Sequence, residues 1–246
     1  MRGLIADEGS SDLEPGGEID LSLLTALADA TAQAGDAPAA QKLYAALLQV
    51  RQQVSGPEHP DTLSAQYNLA HWTGEAGNAA SACAQMAALR SVMEQLCGAY
   101  DTDTLALRAK HAYWTWRAGD EAAARDLYAT LLPLMFEVLG REHPYVITVR
   151  AEFATCTALT GDVISALKQF SALLPETERA LGTEHLQTLA TRASLAAMTD
   201  AAGDKTQARE QLAALLPLAR QVLGPRHPIT HAVRGNLFRV EQELGE

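Results

Sequence analysis

Apolar and small side chains return at helical spacing along this chain, in short blocks closed by glycine. In the segment that opens at His59, Leu63, Leu69, Ala70, Thr73 and Ala76 form one apolar or small face. Pro60 stands where a first helical residue would, its φ already fixed and its missing N–H unneeded. Asp61 puts a carboxylate in the first turn, where it complements the helix dipole. Gly77 can take the left-handed conformation that ends a helix, and Asn78 can accept from the first free N–H groups of another. In that second helix Ala82, Met86 and Leu89 mark the inner face, and Gly98 marks the end. The pattern predicts helix A, tight turn, helix B and loop.

The block recurs with a fixed period of 42 residues and no insertion or deletion. One row is Gly35-Asp36, Gly77-Asn78, Gly119-Asp120, Gly161-Asp162 and Gly203-Asp204. A second is Gly56, Gly98, Gly140, Gly182 and Gly224, and a third is Ala40, Ala82, Ala124, Ala166 and Ala208. The place of Met86 is taken by Tyr44, Tyr128, Phe170 and Leu212. A small residue lets two helices approach, and the large one a turn later fills the space beside them. A period of this length means stacked units that bury their apolar faces on one another. The expected fold is therefore an all-α solenoid of five helix-turn-helix repeats, at about 20–58, 59–100, 101–142, 143–184 and 185–226. A capping helix is expected over 228–244, with Arg234, Arg239, Glu241 and Glu243 shielding the last repeat from water.

Charge changes this picture only at the start. The chain carries a net charge of −11, and six of its acids (Asp7, Glu8, Asp12, Glu14, Glu18 and Asp20) lie in the first twenty residues. With Gly9, Pro15, Gly16 and Gly17 among them, residues 1–19 are expected to be a disordered acidic segment preceding the array at 20–246. An acidic surface repels phosphate backbones, which argues against nucleic acid as a partner. No apolar run nears the roughly 20 residues that span a bilayer, so no membrane partner is expected. The opening Met1-Arg2-Gly3-Leu4-Ile5-Ala6 lacks the apolar stretch of a secretory signal. The three cysteines, Cys83, Cys97 and Cys156, share no repeat position and form no Cys-x-x-Cys. They read as reduced, buried thiols of a cytoplasmic protein.

The run Gly56-Pro57-Glu58-His59-Pro60-Asp61-Thr62-Leu63, then Asn68-Leu69-Ala70, Ala76-Gly77-Asn78 and Ala82, resembles the long tetratricopeptide repeat of kinesin light chains and many bacterial regulators. The joints at Leu139–Pro144, Leu181–His185 and Leu223–Pro228 agree with it. Ala99-Tyr100-Asp101-Thr102 departs from it in the third joint, and Leu186 replaces proline in the fifth. Both changes preserve length and should leave the fold intact. The resemblance covers about residues 20–244. It implies a right-handed superhelix with A helices lining a concave groove and B helices outside. It also implies protein or peptide binding rather than catalysis, as an adaptor or as the sensing part of a bacterial regulator. The asparagine with which the family grips a ligand backbone matches Asn68 and Asn236, while Lys110, Glu152 and Ser194 stand between them.

The groove-facing positions are uneven. One half holds Tyr67, Asn68, His71, Lys110, Tyr113, Trp116 and Arg117, an aromatic and polar set expected to bind a peptide. In that expectation Tyr67, Tyr113 and Trp116 hold a ligand side chain, and Lys110 and Arg117 pair with a carboxylate. The same aromatics could instead fill the bend of the superhelix. The other half is small and smooth, with Ala151, Thr155, Ala158, Ala190, Ala193, Ser194 and Ala197. It could receive a helix of a partner or of a second copy. The acidic tail could fold back toward Lys110 and Arg117.

Other candidates reduce to structure. Equivalent positions in stacked helices lie roughly 8–10 Å apart, too far for His59, His143, His185 and His227 to share a metal whose ligands sit about 2 Å from it. They are expected to cap the A helices and pack in the joints. The row Arg108, Arg150, Arg192 and Arg234 is expected to pack its stems and reach carboxylates at the joints. No nucleophile–base pair, phosphate loop or zinc motif appears, so neither a catalytic site nor a cofactor is expected. A self-associating scaffold is the alternative to an adaptor, and a small-molecule enzyme a third reading.

Overall fold

The computed structural model describes residues 21–245. The acidic segment 1–19 and its proposed fold-back lie outside the described residues. Eleven α-helices and no strand are found among the described residues. The A helices are α1 (Leu21–Gln33), α3 (Pro60–Glu75), α5 (Thr102–Arg117), α7 (Pro144–Leu159) and α9 (Leu186–Ala201). The B helices are α2 (Ala37–Val54), α4 (Ala79–Leu96), α6 (Glu121–Leu139), α8 (Val163–Leu181) and α10 (Lys205–Leu223), and α11 (Pro228–Leu244) closes the array.

Side chains at fixed repeat positions start the helices. Asp36, Asn78, Asp120, Asp162 and Asp204 each accept from the backbone N–H three residues on, at 2.9–3.1 Å. Such a cap contributes about 1 kcal/mol over alanine. His59, His143, His185 and His227 cap the A helices through Nδ1, which accepts from the N–H two residues on at 3.1–3.2 Å. Three of these rings are exposed, contrary to the expectation that they pack in the joints. Turning Nδ1 onto the backbone holds the imidazole at the helix end, outside the packed core. Asp101 does the same work for α5, accepting from the N–H groups of Asp103 and Thr104. The turn before each B helix needs a backbone that only glycine adopts without strain; Gly77 has φ 100°.

The alanine row decides how closely A and B pack. Ala40, Ala82, Ala124, Ala166 and Ala208 are all fully buried, beside the buried Tyr44, Met86, Tyr128, Phe170 and Leu212. Each of these large side chains contributes about 1.5–3 kcal/mol by leaving water. Every helix packs on its neighbours in sequence. In addition α7 touches α5 and α9, and α9 touches α11, whereas no two B helices are in comparable contact. The array therefore curves with the A helices on its inner side. Pro133, Pro175 and Pro217 repeat inside α6, α8 and α10, all exposed, so the backbone bond each removes is lost on the outer side.

The joints are tied by ion pairs. Arg108, Arg150 and Arg192 reach Glu94, Glu176 and Glu178 of the preceding or following B helix, as expected for structural arginines. Arg234 instead lies 3.1 Å from His231 Nδ1. At the far end the charged face of α11 does more than meet water. Arg239 bonds Asp200 at 2.5 Å, and Glu243 is shared by Arg239 and Lys205. This network pins α11 to α9 and α10.

The thiols depart from expectation. Cys156 is buried, and burial pushes its thiol up to about 12. Cys83 is half-buried, and Cys97, the residue capping the C-terminal end of α4, is exposed.

Candidate functional site

The helical register of α3 and α5 sets out the candidate residues. Tyr113, Trp116 and Arg117 follow one another over the last turns of α5, and Lys110 lies one turn before them. Their side chains meet around the Tyr113 ring. Lys110 Nζ is 5.4 Å and Arg117 Cζ 5.7 Å from its centroid, both within cation–π range. Arg117 Nη1 donates to Tyr113 Oη at 2.7 Å. Trp116 meets the same ring edge-on at 6.0 Å. Four of the seven predicted residues thus form one cluster.

Only Arg117 of that cluster is exposed; Lys110, Tyr113 and Trp116 are half-buried. Tyr113 packs against the buried cluster of Leu63, Ala70, Met86 and Trp114, and Trp116 against that of Leu105, Tyr128 and Val149. These rings therefore fill the bend and present one edge to the groove at the same time. Neither Lys110 nor Arg117 forms an ion pair among the described residues, whereas Arg51, Arg108, Arg150 and Arg192 each hold a carboxylate.

The other three predicted residues sit apart. His71 is tucked against Trp72 and Trp114, with ring centroids at 5.1 and 6.0 Å. Burial, and then the charge of Lys110, hold its imidazole below the usual histidine range, so it is neutral near pH 7. Its Nδ1 is buried with no hydrogen-bond partner. Tyr67, whose phenol is held up by burial, lines a cavity between α3 and α5. Asn68 lines a smaller polar recess with Asp29, Tyr44, Arg51 and Asp61.

One functional group escaped the sequence reading. Glu152 occupies the register of Asn68 and Lys110 on α7, and Tyr128 Oη donates to its Oε2 at 2.9 Å. Burial raises its carboxyl above the usual range, against the pull of Tyr128 and Lys110. The groove thus runs from the cations of α5 to a partly buried acid on α7. The signal was present in the order of residues at one repeat position, but sequence alone does not tell which of them point at each other. The small residues expected to face the groove beyond Glu152, namely Ala151, Thr155, Ala158, Ala190, Ala193, Ser194 and Ala197, are half-buried, and Ala151 and Ala193 pack against core clusters.

Family models described as tetratricopeptide repeat match residues 20–85 and 188–229. No curated protein matches the chain. Among solved structures, nearly identical tetratricopeptide-like repeats of a protein described as a Podosopora anserina kinesin light chain share the fold. They align with a TM-score of 0.72 at 21% identity, over 82% of this chain and 96% of that one. BtubC (BKLC) from P. vanneervenii aligns with a TM-score of 0.70 at 19% identity, over 85% and 82% of the two chains. A Rap protein complexed with competence and sporulation factor aligns with a TM-score of 0.58 at 10% identity, over 92% and 64%. No helix among the described residues is long and apolar enough to cross a membrane. Two stretches of the chain thus match tetratricopeptide-repeat models within one array of paired helices, and that array shares its fold with kinesin-light-chain-like repeats.

Proposed function

We propose that this chain binds a peptide or protein segment along the inner face of its A helices, as an adaptor or the sensing part of a larger cytoplasmic regulator. Arrays of this family generally mediate protein–protein interaction and are generally non-catalytic. The observation that carries the proposal is the pair of cations on one tyrosine. Lys110 and Arg117 flank Tyr113 and neither forms an ion pair among the described residues, though Lys110 acts on the Glu152 carboxyl of α7, at a place where neighbouring arginines are paired. A ligand carboxylate would find a guanidinium, an ammonium and two aromatic edges together, the composition of a binding hot spot. The smooth stretch from Ala151 to Ala197 would take the ligand's backbone or a helix face. The Rap protein of the same fold is complexed with competence and sporulation factor, which supports the class of ligand.

The test is capture from the native cell extract by the full chain, beside a Lys110→Met/Arg117→Ala variant of matched melting temperature. A partner held by the wild type and lost by the variant supports the groove. A partner held equally by both refutes it. Self-association is a second reading, favoured by the exposed Phe238 of α11 and Leu27 of α1. Light scattering over a concentration series decides it: a dimer that Phe238→Ser dissolves supports the scaffold, and a monomer at all concentrations removes it.

A further inference from the structure

The first three joints between A helices can be compared position by position, because the repeat keeps one length. Between α1 and α3, Arg51 enters the joint and bonds Asp61 at 2.5 Å and Thr25 at 3.1 Å. The space left there is a cavity of about 160 Å³. In the next joint, between α3 and α5, the aspartate is kept as Asp103, but Met93 stands in place of the arginine. Between α5 and α7 both change, to Met135 and Tyr145. Met135 is fully buried, and Tyr145 reaches across to donate to Ala106 O at 3.2 Å, which closes that joint.

The joint between α3 and α5 has neither the arginine of one neighbour nor the tyrosine of the other, and it is open. Cys97 widens it further, because the later joints have the larger Leu139, Leu181 and Leu223 at that position. The result is a cavity of about 650 Å³, floored by Leu63, Leu89, Met93 and Leu107. That volume lies within the roughly 300–1,000 Å³ of ligand clefts. Glu58 and Asp103 stand on its rim, both exposed, and neither forms an ion pair among the described residues. Leu96, another lining residue, is 45% exposed.

We infer that this cavity is a second recognition pocket, which takes a basic side chain and an adjacent large apolar side chain of the bound peptide. The basic group supplies to Asp103 and Glu58 what Arg51 supplies to Asp61 in the joint before. Its aliphatic stem lies along Met93, and the apolar neighbour fills the floor on Leu63 and Leu89. Tyr67, one of the residues expected in the groove, also lines this cavity. The inference rests on the groove reading, with a ligand that is basic and apolar at one end and acidic at the other.

Cys97 offers a direct readout, as an exposed thiol in the lining. The full chain is alkylated with iodoacetamide, and modification at Cys97 is followed by mass spectrometry. The probes are the capped hexapeptide Gly-Ser-Phe-Arg-Ser-Gly and its Phe-Glu and Ala-Arg counterparts. The Phe-Arg peptide should slow alkylation at concentrations about tenfold lower than either counterpart, the ratio expected of one charge-assisted contact. Asp103→Asn, an exposed and conservative change, should reduce the preference for Phe-Arg over Phe-Glu. Met93→Arg rebuilds the Arg51–Asp61 pair and should abolish protection by the peptide. Equal protection by Phe-Arg and Phe-Glu would overturn the inference, as would an Asp103→Asn variant with unchanged preference. The two readings fail separately. If Lys110→Met/Arg117→Ala loses the native partner while the Phe-Arg peptide gives no protection, the pocket is wrong and the groove stands. If the partner survives that variant but not Asp103→Asn, the groove site is wrong.

Discussion

Gly74 carries a sharp prediction, because an added methyl there has a computable fate. A Cβ built on Gly74 would lie 2.3, 2.4 and 2.5 Å from three ring atoms of Trp114. Real Cβ contacts do not come so close, and the obstacle is a rigid indole that is only 1% exposed. Trp114 is held by Leu63, Ala70, Met86, Leu89 and Leu107, so it has nowhere to retreat. Overpacking of this kind costs about 1–3 kcal/mol. Against it stands the helical advantage of alanine over glycine, at most about 1 kcal/mol and less near the end of α3. The net expectation for Gly74→Ala is a loss of about 1–2 kcal/mol. At roughly 2–4 °C per kcal/mol for a chain of this size, Tm should fall by about 2–8 °C. Gly235→Ala is the control, since no atom within 4 Å opposes a methyl there. It should be neutral or raise Tm. Thermal melting by circular dichroism reads both. A Gly74→Ala protein that melts as high as Gly235→Ala would refute the packing argument. A double-mutant cycle with Trp114→Phe should show positive coupling, because the methyl harms only while the indole is there. Trp114 meets the rings of His71 and Tyr113, so Gly74→Ala should also disturb the candidate site.

Three further outcomes follow from shifted titrations. His71 and His111 both have imidazoles held below the usual 6.5 by burial, with Lys110 and Arg90 adding to the effect. Their unfolded forms take up protons first, so stability should decline as pH falls through 6.5 toward their folded values; His71→Phe should shallow that slope in denaturant titrations between pH 5 and 8. The Glu152 carboxyl is raised by burial, so its ionisation destabilises the fold as pH rises above the usual 4.5. Glu152→Gln, which keeps an acceptor for Tyr128, should raise Tm more at pH 8 than at pH 5. Lys205, Arg239 and nearby charges hold Glu243 below its usual range, and Arg239 and Lys205 outweigh burial to do the same for Asp200. The grip of α11 should therefore be present above the carboxylate range and lost as pH falls through it, seen as faster hydrogen exchange confined to α11.

The architecture was legible because each repeat states it again. The caps, the alanine row and the glycine turns are local, and a fixed period leaves no freedom in how they stack. The thiol of Cys97 and the rings of the capping histidines were misjudged, because exposure at a joint depends on what fills that joint. Nothing in the order of residues says that Cys97 borders an opening while its counterpart Leu139 packs on a core. The candidate site was legible as a composition and only partly as a geometry. Lys110, Tyr113, Trp116 and Arg117 lie on one helix, where spacing alone brings them together. His71, Tyr67 and Asn68 lie on another helix, where His71 is set against Trp114 beside Gly74 while Tyr67 and Asn68 line two separate cavities. Glu152 had the same register as Lys110, yet its tie to Tyr128 crosses between repeats and is visible only in three dimensions.

Binding of a carboxylate-bearing peptide at Tyr113, between Lys110 and Arg117, is read by calorimetric titration of the captured partner segment. Wild type and Lys110→Met/Arg117→Ala are compared at low and at physiological salt. The variant should lose about tenfold or more in affinity, more at low salt, with melting temperatures nearly equal. Equal affinity of the two proteins at both salt concentrations would contradict it.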